Sequence, residues 1–218
     1  MAFTALDVKK LREMTNVGMM DCKKALQATD GDMDKAVDWL REKGLAKAAK
    51  KADRIAAEGV AMATVVNGVG VVIEVNSETD FAAKTDSFMD LVKNLAQIVA
   101  EQNPADVEAL KACTYPNSNL TVTEIMQEKV MSIGENMQIR RFIRFAENTS
   151  VAYVHAGGSH GVLVNLAVEG DIDATEIGKN VAMQIAATMA NAAIEGRQGE
   201  DAVAEATETA EVEATEDE

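Results

Sequence analysis

The chain has few of the residues that build disulfide frameworks or metal sites, with only two cysteines and two histidines among 218 residues. Cys22 and Cys113 are far apart in sequence, and neither lies in a CxxC or Cys/His spacing. His155 and His160 flank a glycine turn and have no carboxylate or thiol partner nearby in the sequence. The sequence therefore predicts neither a disulfide-stapled fold nor a bound metal, and we expect no cofactor.

Long hydrophobic runs are also missing. No apolar stretch approaches the roughly 20 residues of a membrane-spanning helix, and the N-terminal sequence MAFTALDVKKLREM has no apolar segment followed by a cleavage site. A content of 47% hydrophobic residues is still enough for an ordinary packed core. We therefore expect a cytoplasmic protein that does not engage membranes.

Catalytic motifs are absent as well. The sequence contains no GxxxxGK[ST] phosphate loop, no GxSxG nucleophile elbow and no HExxH metal motif. The glycines of residues 157–161 could cradle an anion, but a hairpin turn explains them more simply. These observations favour a binding or regulatory protein over an enzyme with covalent chemistry of its own.

The net charge of −15 is unevenly distributed along the chain. Residues 195–218 alternate Ala, Thr and Glu and hold almost no large apolar side chain. Such a segment cannot bury enough surface to offset the entropy lost on ordering. We therefore expect a disordered acidic tail whose simplest role is to keep the protein soluble.

At the N-terminus, apolar residues recur at helical spacing and turn sequences interrupt them at Asn16-Val17-Gly18 and Asp30-Gly31-Asp32. The pattern predicts three short helices, over residues 6–14, 20–29 and 33–43. Three helices in about 40 residues are typical of a small binding module, which is too small to house an enzyme site.

Two features of this N-terminal segment leave alternatives open. Met19 and Met20, at the turn into the second helix, could be core filler or an adaptable contact surface. Residues 44–54, GLAKAAKKADR, predict a helical linker, and its basic side chains form either a solvated face or a phosphate contact.

The centre of the chain predicts a strand that leads into a helix. The β-branched run Val69–Val75 follows Asn67-Gly68, a hairpin-turn dipeptide, and pairs with a first strand over residues 60–66. An apolar stripe from Phe88 to Val99 predicts a helix to about residue 102, with Asp86 and Ser87 as plausible caps. Phe81 lies in the connection between this strand and this helix, where neither the strand pattern nor the helix pattern requires an aromatic ring.

The residues that follow predict two more helices and a strand. The helices cover residues 104–111 and 121–133, and Gly134 caps the second of them. Residues 137–145 alternate in a strand pattern, although the pattern does not decide which face is buried.

The second half of the chain repeats the order of the first. Residues 151–155 and 161–166 predict a second hairpin, and a helix carrying residues 179–182 follows. The connection in this copy is shorter and lacks the Thr79-Asp80-Phe81 sequence. If both copies build the same ββα unit, the fold does not need those residues. Although a phenylalanine is more often core than contact, this difference favours a partner contact for Phe81.

Together these patterns predict an α+β fold with four parts. A three-helix bundle similar to ubiquitin-associated (UBA-like) modules, with its helical linker, comes first. Two related ββα modules with antiparallel sheets follow, and the acidic tail comes last. The predicted boundaries are residues 1–54, 55–147, 148–194 and 195–218.

Three groups of motifs resemble the bacterial translation elongation factor Ts family, and the likeness covers residues 5 to about 187. They are Leu11-Arg12-Glu13-Met14-Thr15 followed by Gly18-Met19-Met20-Asp21-Cys22-Lys23-Lys24-Ala25-Leu26; Glu74-Val75-Asn76 with Thr79-Asp80-Phe81; and Gly134-Glu135-Asn136 with Arg140-Arg141.

The resemblance implies a guanine nucleotide exchange factor that releases GDP from elongation factor Tu. Residues 1–54 would dock on the nucleotide-binding domain of Tu through Arg12, Met19 and Met20. In the matching Thr79-Asp80-Phe81 sequence, Asp80 and Phe81 would wedge near the Mg²⁺ and phosphate site of Tu. His155 would lean on another Tu domain.

By the same resemblance, the partner is Tu in its GDP-bound and nucleotide-free forms, and no nucleic acid is expected to bind. Family members usually continue beyond the last predicted helix, so residues 148–194 are expected to form an incomplete second module.

Two other functions fit parts of the sequence. The UBA-like bundle is compatible with a ribosome-associated or nascent-chain-binding protein without exchange activity, although such a protein would not need Thr79-Asp80-Phe81. The basic side chains of the linker would suit an RNA-binding protein. The linker lacks the interleaved aromatic residues that would support this interpretation.

Overall fold

The structure of the protein is a computed structural model that describes residues 3–15, 17–170 and 172–194. The described residues form eight helices and two antiparallel sheets, so the fold is α+β as predicted. None of these helices combines the length and the hydropathy that crossing a membrane requires. The predicted acidic tail, residues 195–218, lies outside the described residues.

The elements follow one another as α1 Ala5–Thr15, α2 Met19–Ala28, α3 Met33–Lys51, β1 Glu58–Val66, β2 Val69–Ser77, α4 Asp80–Ala83, α5 Asp86–Gln102, α6 Val107–Ala112, α7 Val122–Ile133, β3 Met137–Phe145, β4 Thr149–His155, β5 His160–Leu166 and α8 Thr175–Ile194.

The first three helices enclose their own apolar core, centred on Leu11, Leu26 and Leu40. The third predicted helix, residues 33–43, and most of the predicted helical linker, residues 44–54, form one continuous helix, so α3 is longer than predicted. Gly44 costs this helix about 1 kcal/mol relative to Ala. It also lets α3 approach α7 closely, since a Cβ atom at this position would lie 3.3 Å from the Met131 sulfur. The linker helix is therefore packed against the rest of the chain.

The larger core lies between the first sheet and α5. The strand order is β1-β2-β3, and α5 buries its apolar stripe, from Phe88 to Val99, against β1 and β2. Thr85 caps α5 by accepting a hydrogen bond from the Phe88 backbone N–H, so the predicted caps Asp86 and Ser87 are wrong by one or two positions. The cap hydroxyl accepts from the backbone N–H three residues further on, which is the usual spacing for a residue that caps the start of a helix.

The buried face of β3 changes along the strand. Met137 and Ile139 belong to the core, whereas Ile143, in phase with them by sequence, is 54% exposed. The pairing of β3 with β2 shifts between Glu74 and Val75, where β3 carries an extra residue. A bulge of this kind moves every following side chain to the opposite face, so Phe142 packs on the core instead. The sequence alternation could not show this shift.

The second sheet, β4 and β5, packs on the opposite side of the β1–β2 hairpin. Small residues allow the close approach, because a Cβ atom at Gly161 would lie 2.7 Å from the Ala61 carbonyl oxygen. Helix α8 covers the outer face of the second sheet, where Val162, Ala182 and Ala186 are buried. The layers are thus α5, the first sheet, the second sheet and α8. The order of β4, β5 and α8 is that of β1, β2 and α5.

Candidate functional site

Helix α4 is a short platform that presents Phe81 to solvent. The hydroxyl of Thr79 caps it by accepting a hydrogen bond from the Ala82 backbone N–H. Ala82 and Ala83 are buried, whereas the Phe81 side chain is 81% exposed. An exposed aromatic ring contributes little to the stability of the fold, because apolar side chains stabilise a protein when they are buried. The geometry therefore agrees with a contact role for Phe81 and gives the ring no place in the core.

A loop of three residues, 134–136, holds the base of α4. We call it the Glu135 loop. Its central carboxylate accepts two hydrogen bonds from Thr79, at 3.0 Å from the backbone N–H and at 2.7 Å from the hydroxyl. Gly134 begins the loop as the cap of α7 with a φ of 91°, a conformation that glycine adopts without strain.

Asn136 fixes the other end of the Glu135 loop. Its side chain is only 4% exposed and its amide group donates hydrogen bonds to the backbone carbonyls of Ala52 and Arg54, which follow α3. Its backbone N–H donates to the Glu78 carboxylate at 2.6 Å, and Arg54 pairs with the same carboxylate. The end of α3, the loop and the approach to α4 are therefore bonded together.

Charges around α4 are locally paired. The Asp80 carboxylate lies 2.6 Å from the Lys84 ammonium, and this hydrogen bond lowers the pKa of Asp80 and raises the pKa of Lys84. The backbone N–H of Asn136 lowers the pKa of Glu78, with help from Arg54. Both carboxylates are consequently ionised at neutral pH. The platform presents an apolar ring beside a paired charge.

The methionines predicted at the turn into α2 lie on the surface. Met19 is 50% exposed and Met20 65% exposed, and with Phe3 and Val8 they line a shallow apolar groove. Arg12 is exposed on α1. Their exposure contradicts the interpretation as core filler, and a contact surface stays a prediction.

His155 lies at the end of β4, exposed and paired across the hairpin with His160. The Tyr153 hydroxyl lies 3.2 Å from its Nδ1 atom. The turn after His155 reaches the start of β1, where the Gly158 carbonyl accepts a hydrogen bond from the Ala61 N–H. That end of the first sheet is also the end from which α4 leaves β2.

The predicted site residues thus occupy three surfaces. Thr79, Asp80 and Phe81 form one of them, on α4. The second is in the N-terminal helices, with Arg12 exposed on α1 and the two methionines exposed on α2, and the third is the end of the second hairpin. The first two are linked through α3, because Lys47 pairs with Asp21 at the start of α2 and Lys51 bonds to the Gly134 carbonyl.

The predicted linker, residues 44–54, holds four basic side chains, and three of them have partners within the chain. Lys47 binds Asp21, Lys51 binds the Gly134 carbonyl and Arg54 binds Glu78. Their use in internal contacts is a structural explanation for the basic cluster, and it weakens the RNA-binding interpretation.

Comparisons with known proteins bear on this arrangement. A sequence model of the family described as Elongation factor TS matches residues 78–218. Proteins named Elongation factor Ts are similar over most of the chain: that of Magnetococcus marinus is 47% identical over 86% of this chain and 63% of its own length. That of Rhizobium etli is 48% identical over 93% of this chain and 68% of its own length.

The chain belongs to the elongation factor Ts family. The resemblance seen in the motifs is thereby confirmed. The chain spans somewhat less than two thirds of several of its relatives, as with 63% of the Trichlorobacter lovleyi protein at 49% identity.

Three residues that support the site were not predicted as site residues. Glu135 and Asn136 were visible only as part of a family motif, and Glu78 had no signal beyond its position before Thr79-Asp80-Phe81. Their role depends on hydrogen bonds between segments more than fifty positions apart. A local sequence pattern cannot predict hydrogen bonds between such distant segments. The signal that the sequence does carry is a pair of polar residues directly after a helix-capping glycine, which indicates a loop.

Proposed function

We propose that this chain accelerates the release of GDP from elongation factor Tu. It would bind the GDP-bound form in the cytoplasm and stabilise the nucleotide-free form. Family membership supports the partner and the process. The observation that carries the mechanism is the Phe81 ring, exposed on a helix that is anchored by side-chain hydrogen bonds.

Exchange of this kind needs no covalent step. A binding partner speeds nucleotide release when it binds the nucleotide-poor conformation better than the GDP-bound one. The coupling between the partner and GDP is then reciprocal, because each weakens the binding of the other by the same factor. The chain needs a surface that fits one conformation of Tu, and it does not need a general acid or base.

Phe81 would provide the differential contact. Burial of one phenylalanine side chain contributes roughly 1.5 to 3 kcal/mol, which shifts a two-state equilibrium by about one to two decades. The ring would enter between structural elements of Tu near the Mg²⁺ and phosphate site, with Asp80 beside it. Thr79 would hold the platform in place as its cap.

The N-terminal helices would supply most of the affinity. Met19 and Met20 are flexible, polarisable side chains that adapt to a partner surface, and Arg12 adds a charge for orientation. His155, at the end of the second hairpin, would contact a different domain of Tu. Residues 1–54 would thus bind to Tu, while Phe81 on α4 acts near the Mg²⁺ and phosphate site of Tu.

The test is the release of fluorescently labelled GDP from Tu, mixed with increasing concentrations of this chain and an excess of unlabelled GDP. We expect release to accelerate and to saturate. A chain that leaves release unchanged at saturating concentration contradicts the proposal. Co-sedimentation with ribosomes in that case would favour the nascent-chain-binding alternative.

A further inference from the structure

We propose that Glu135 is a positioning residue for exchange, which holds α4 so that Phe81 meets the partner in one orientation. The inference rests on the proposed function. It begins from the fact that α4 has only four residues. A helix of one turn is not stable by itself, since nucleation costs more than its few hydrogen bonds return.

The contacts of Glu135 are those that such a short helix needs. Its two carboxylate oxygens accept from the Thr79 N–H and from the Thr79 hydroxyl, and that same hydroxyl caps α4. Hydrogen bonds to a charged acceptor are about twice as strong as neutral ones. Loss of this carboxylate would therefore free the residue that begins the helix.

Glu135 can act as a fixed point because its neighbours are anchored. Gly134 caps α7 and its carbonyl accepts from Lys51, while Asn136 is buried and bonded to the residues after α3. Asn136 also binds the Glu78 carboxylate, one residue before Thr79. The Glu135 loop thus sets the position of α4 relative to the N-terminal helices that carry Met19 and Met20.

This arrangement has a consequence for exchange. When docking helices and a wedge are rigidly joined, binding at the first surface presents the second at a high effective concentration. A loosely held wedge must be ordered during binding, and that cost lowers the population of complexes with Phe81 inserted. Affinity through the N-terminal helices would remain.

The chain offers a matched control for this proposal. In the capping box of α7, Glu124 accepts hydrogen bonds from the backbone N–H of Thr121 at 2.7 Å and from its hydroxyl at 2.8 Å. The donors are the same two groups of a threonine as in the Glu135–Thr79 pair, although both bonds here reach one carboxylate oxygen, and the pair belongs to α7 instead of α4. Glutamine keeps the side-chain length and replaces one accepting oxygen by a donating NH₂ group.

The experiment compares Glu135→Gln with Glu124→Gln in the labelled-GDP assay. We expect Glu135→Gln to lower the maximal release rate about five-fold while the half-saturating concentration changes little. Glu124→Gln should match the wild type in both. Equal maximal rates for the two variants would overturn the proposal. Glu135→Asp, which keeps the charge on a shorter side chain, is a second variant in case Glu135→Gln does not fold.

A double-mutant cycle separates positioning from general destabilisation. If Glu135 acts through Phe81, adding Glu135→Gln to Phe81→Ala should cause no further loss of rate. The same five-fold loss in the Phe81→Ala background would contradict the inference. Failure of the wild-type chain to release GDP would contradict the proposed function instead, so the two failures are distinguishable.

Discussion

Phe81 and Phe88 show how much the surroundings of a single residue decide. The two rings are seven positions apart, yet Phe81 is 81% exposed whereas Phe88 is fully buried in the core beneath the first sheet. The same type of side chain therefore lies on the surface in one place and in the core in the other. Replacing each of them by alanine gives a matched pair of stability measurements.

We expect Phe81→Ala to leave the thermal midpoint within about 1 °C of the wild type, because an exposed ring contributes little to the folded state. Phe88→Ala should lower the free energy of unfolding by about 3 to 5 kcal/mol, since it leaves a cavity in a packed core. Thermal and urea unfolding followed by circular dichroism measure both. A comparable loss for Phe81→Ala would mean that its ring is packed.

Glu78 gives a prediction about pH. The pKa of this carboxyl group lies below its usual value of 4.5, chiefly because the Asn136 backbone N–H binds the carboxylate. The folded state therefore holds fewer protons than the unfolded one. Its contribution to stability is present above that usual pKa and is lost as the pH falls through the lower folded value.

We expect Glu78→Gln to reduce stability at neutral pH, because the amide loses the charge-assisted hydrogen bond. The difference from the wild type should shrink as the pH is lowered below 4.5, where the wild-type carboxyl becomes protonated as well. Urea midpoints measured at a series of pH values test this. A difference that stays constant down to the acid-unfolding range would contradict the assigned role.

At the scale of elements, the capping glycine of α7 fixes where the Glu135 loop starts. Gly134 has a φ of 91° and no atom within 4 Å of where its Cβ would be, so only backbone strain opposes a side chain there. We expect Gly134→Ala to cost about 1 to 2 kcal/mol of unfolding free energy.

The control for this prediction is Gly18→Ala. Gly18 precedes α2 with a φ of −57° and also has open space around it. Any residue adopts that conformation, so alanine adds no backbone strain there, and only its poorer preference for the N-cap position of α2 should lower stability, by less than Gly134→Ala does. Equal effects at the two glycines, measured by urea unfolding, would show that the turn conformation is not the cause.

Several elements were predictable from the sequence for clear physical reasons. The apolar stripe of α5 and the β-branched run of β2 show the helix and strand periods that packing on a large core requires. The sequence therefore predicts both elements close to the bounds that they have in the structure. For α4 the sequence predicts only a connection, because four residues are too few to show a helical period. The sequence predicts the end of the third helix at residue 43, whereas α3 continues through Gly44, where it packs closely on α7.

The candidate site was predictable in part. The exposure of Phe81 could be inferred from its place outside both periodic patterns and from the shorter connection in the second copy. Among the described residues between β5 and α8, no helix corresponds to α4, which agrees with that inference. The supports of α4 could not be found this way, because Glu135 contacts Thr79 from a distant part of the sequence.

At the scale of the whole molecule, the described residues contain three apolar clusters: one in the N-terminal helices, one beneath the first sheet and a small one under α8. Removal of residues 1–54 would delete the cluster in the N-terminal helices and also the two carbonyls, of Ala52 and Arg54, that the Asn136 side chain binds. We expect the remaining fragment to unfold cooperatively at a lower temperature and to lose most of its affinity for Tu. Circular dichroism and a titration with Tu measure these effects. A fragment that is molten, or that binds Tu as the full chain does, would contradict this division.

The most direct test of the central claim is the maximal rate of labelled-GDP release from Tu with Phe81→Ala at saturating concentration. If the ring acts as the wedge, we expect the maximal rate to fall about ten-fold or more with an unchanged melting temperature. Release at the wild-type rate by a folded Phe81→Ala protein would contradict the account, because the exposed ring would then have no part in exchange.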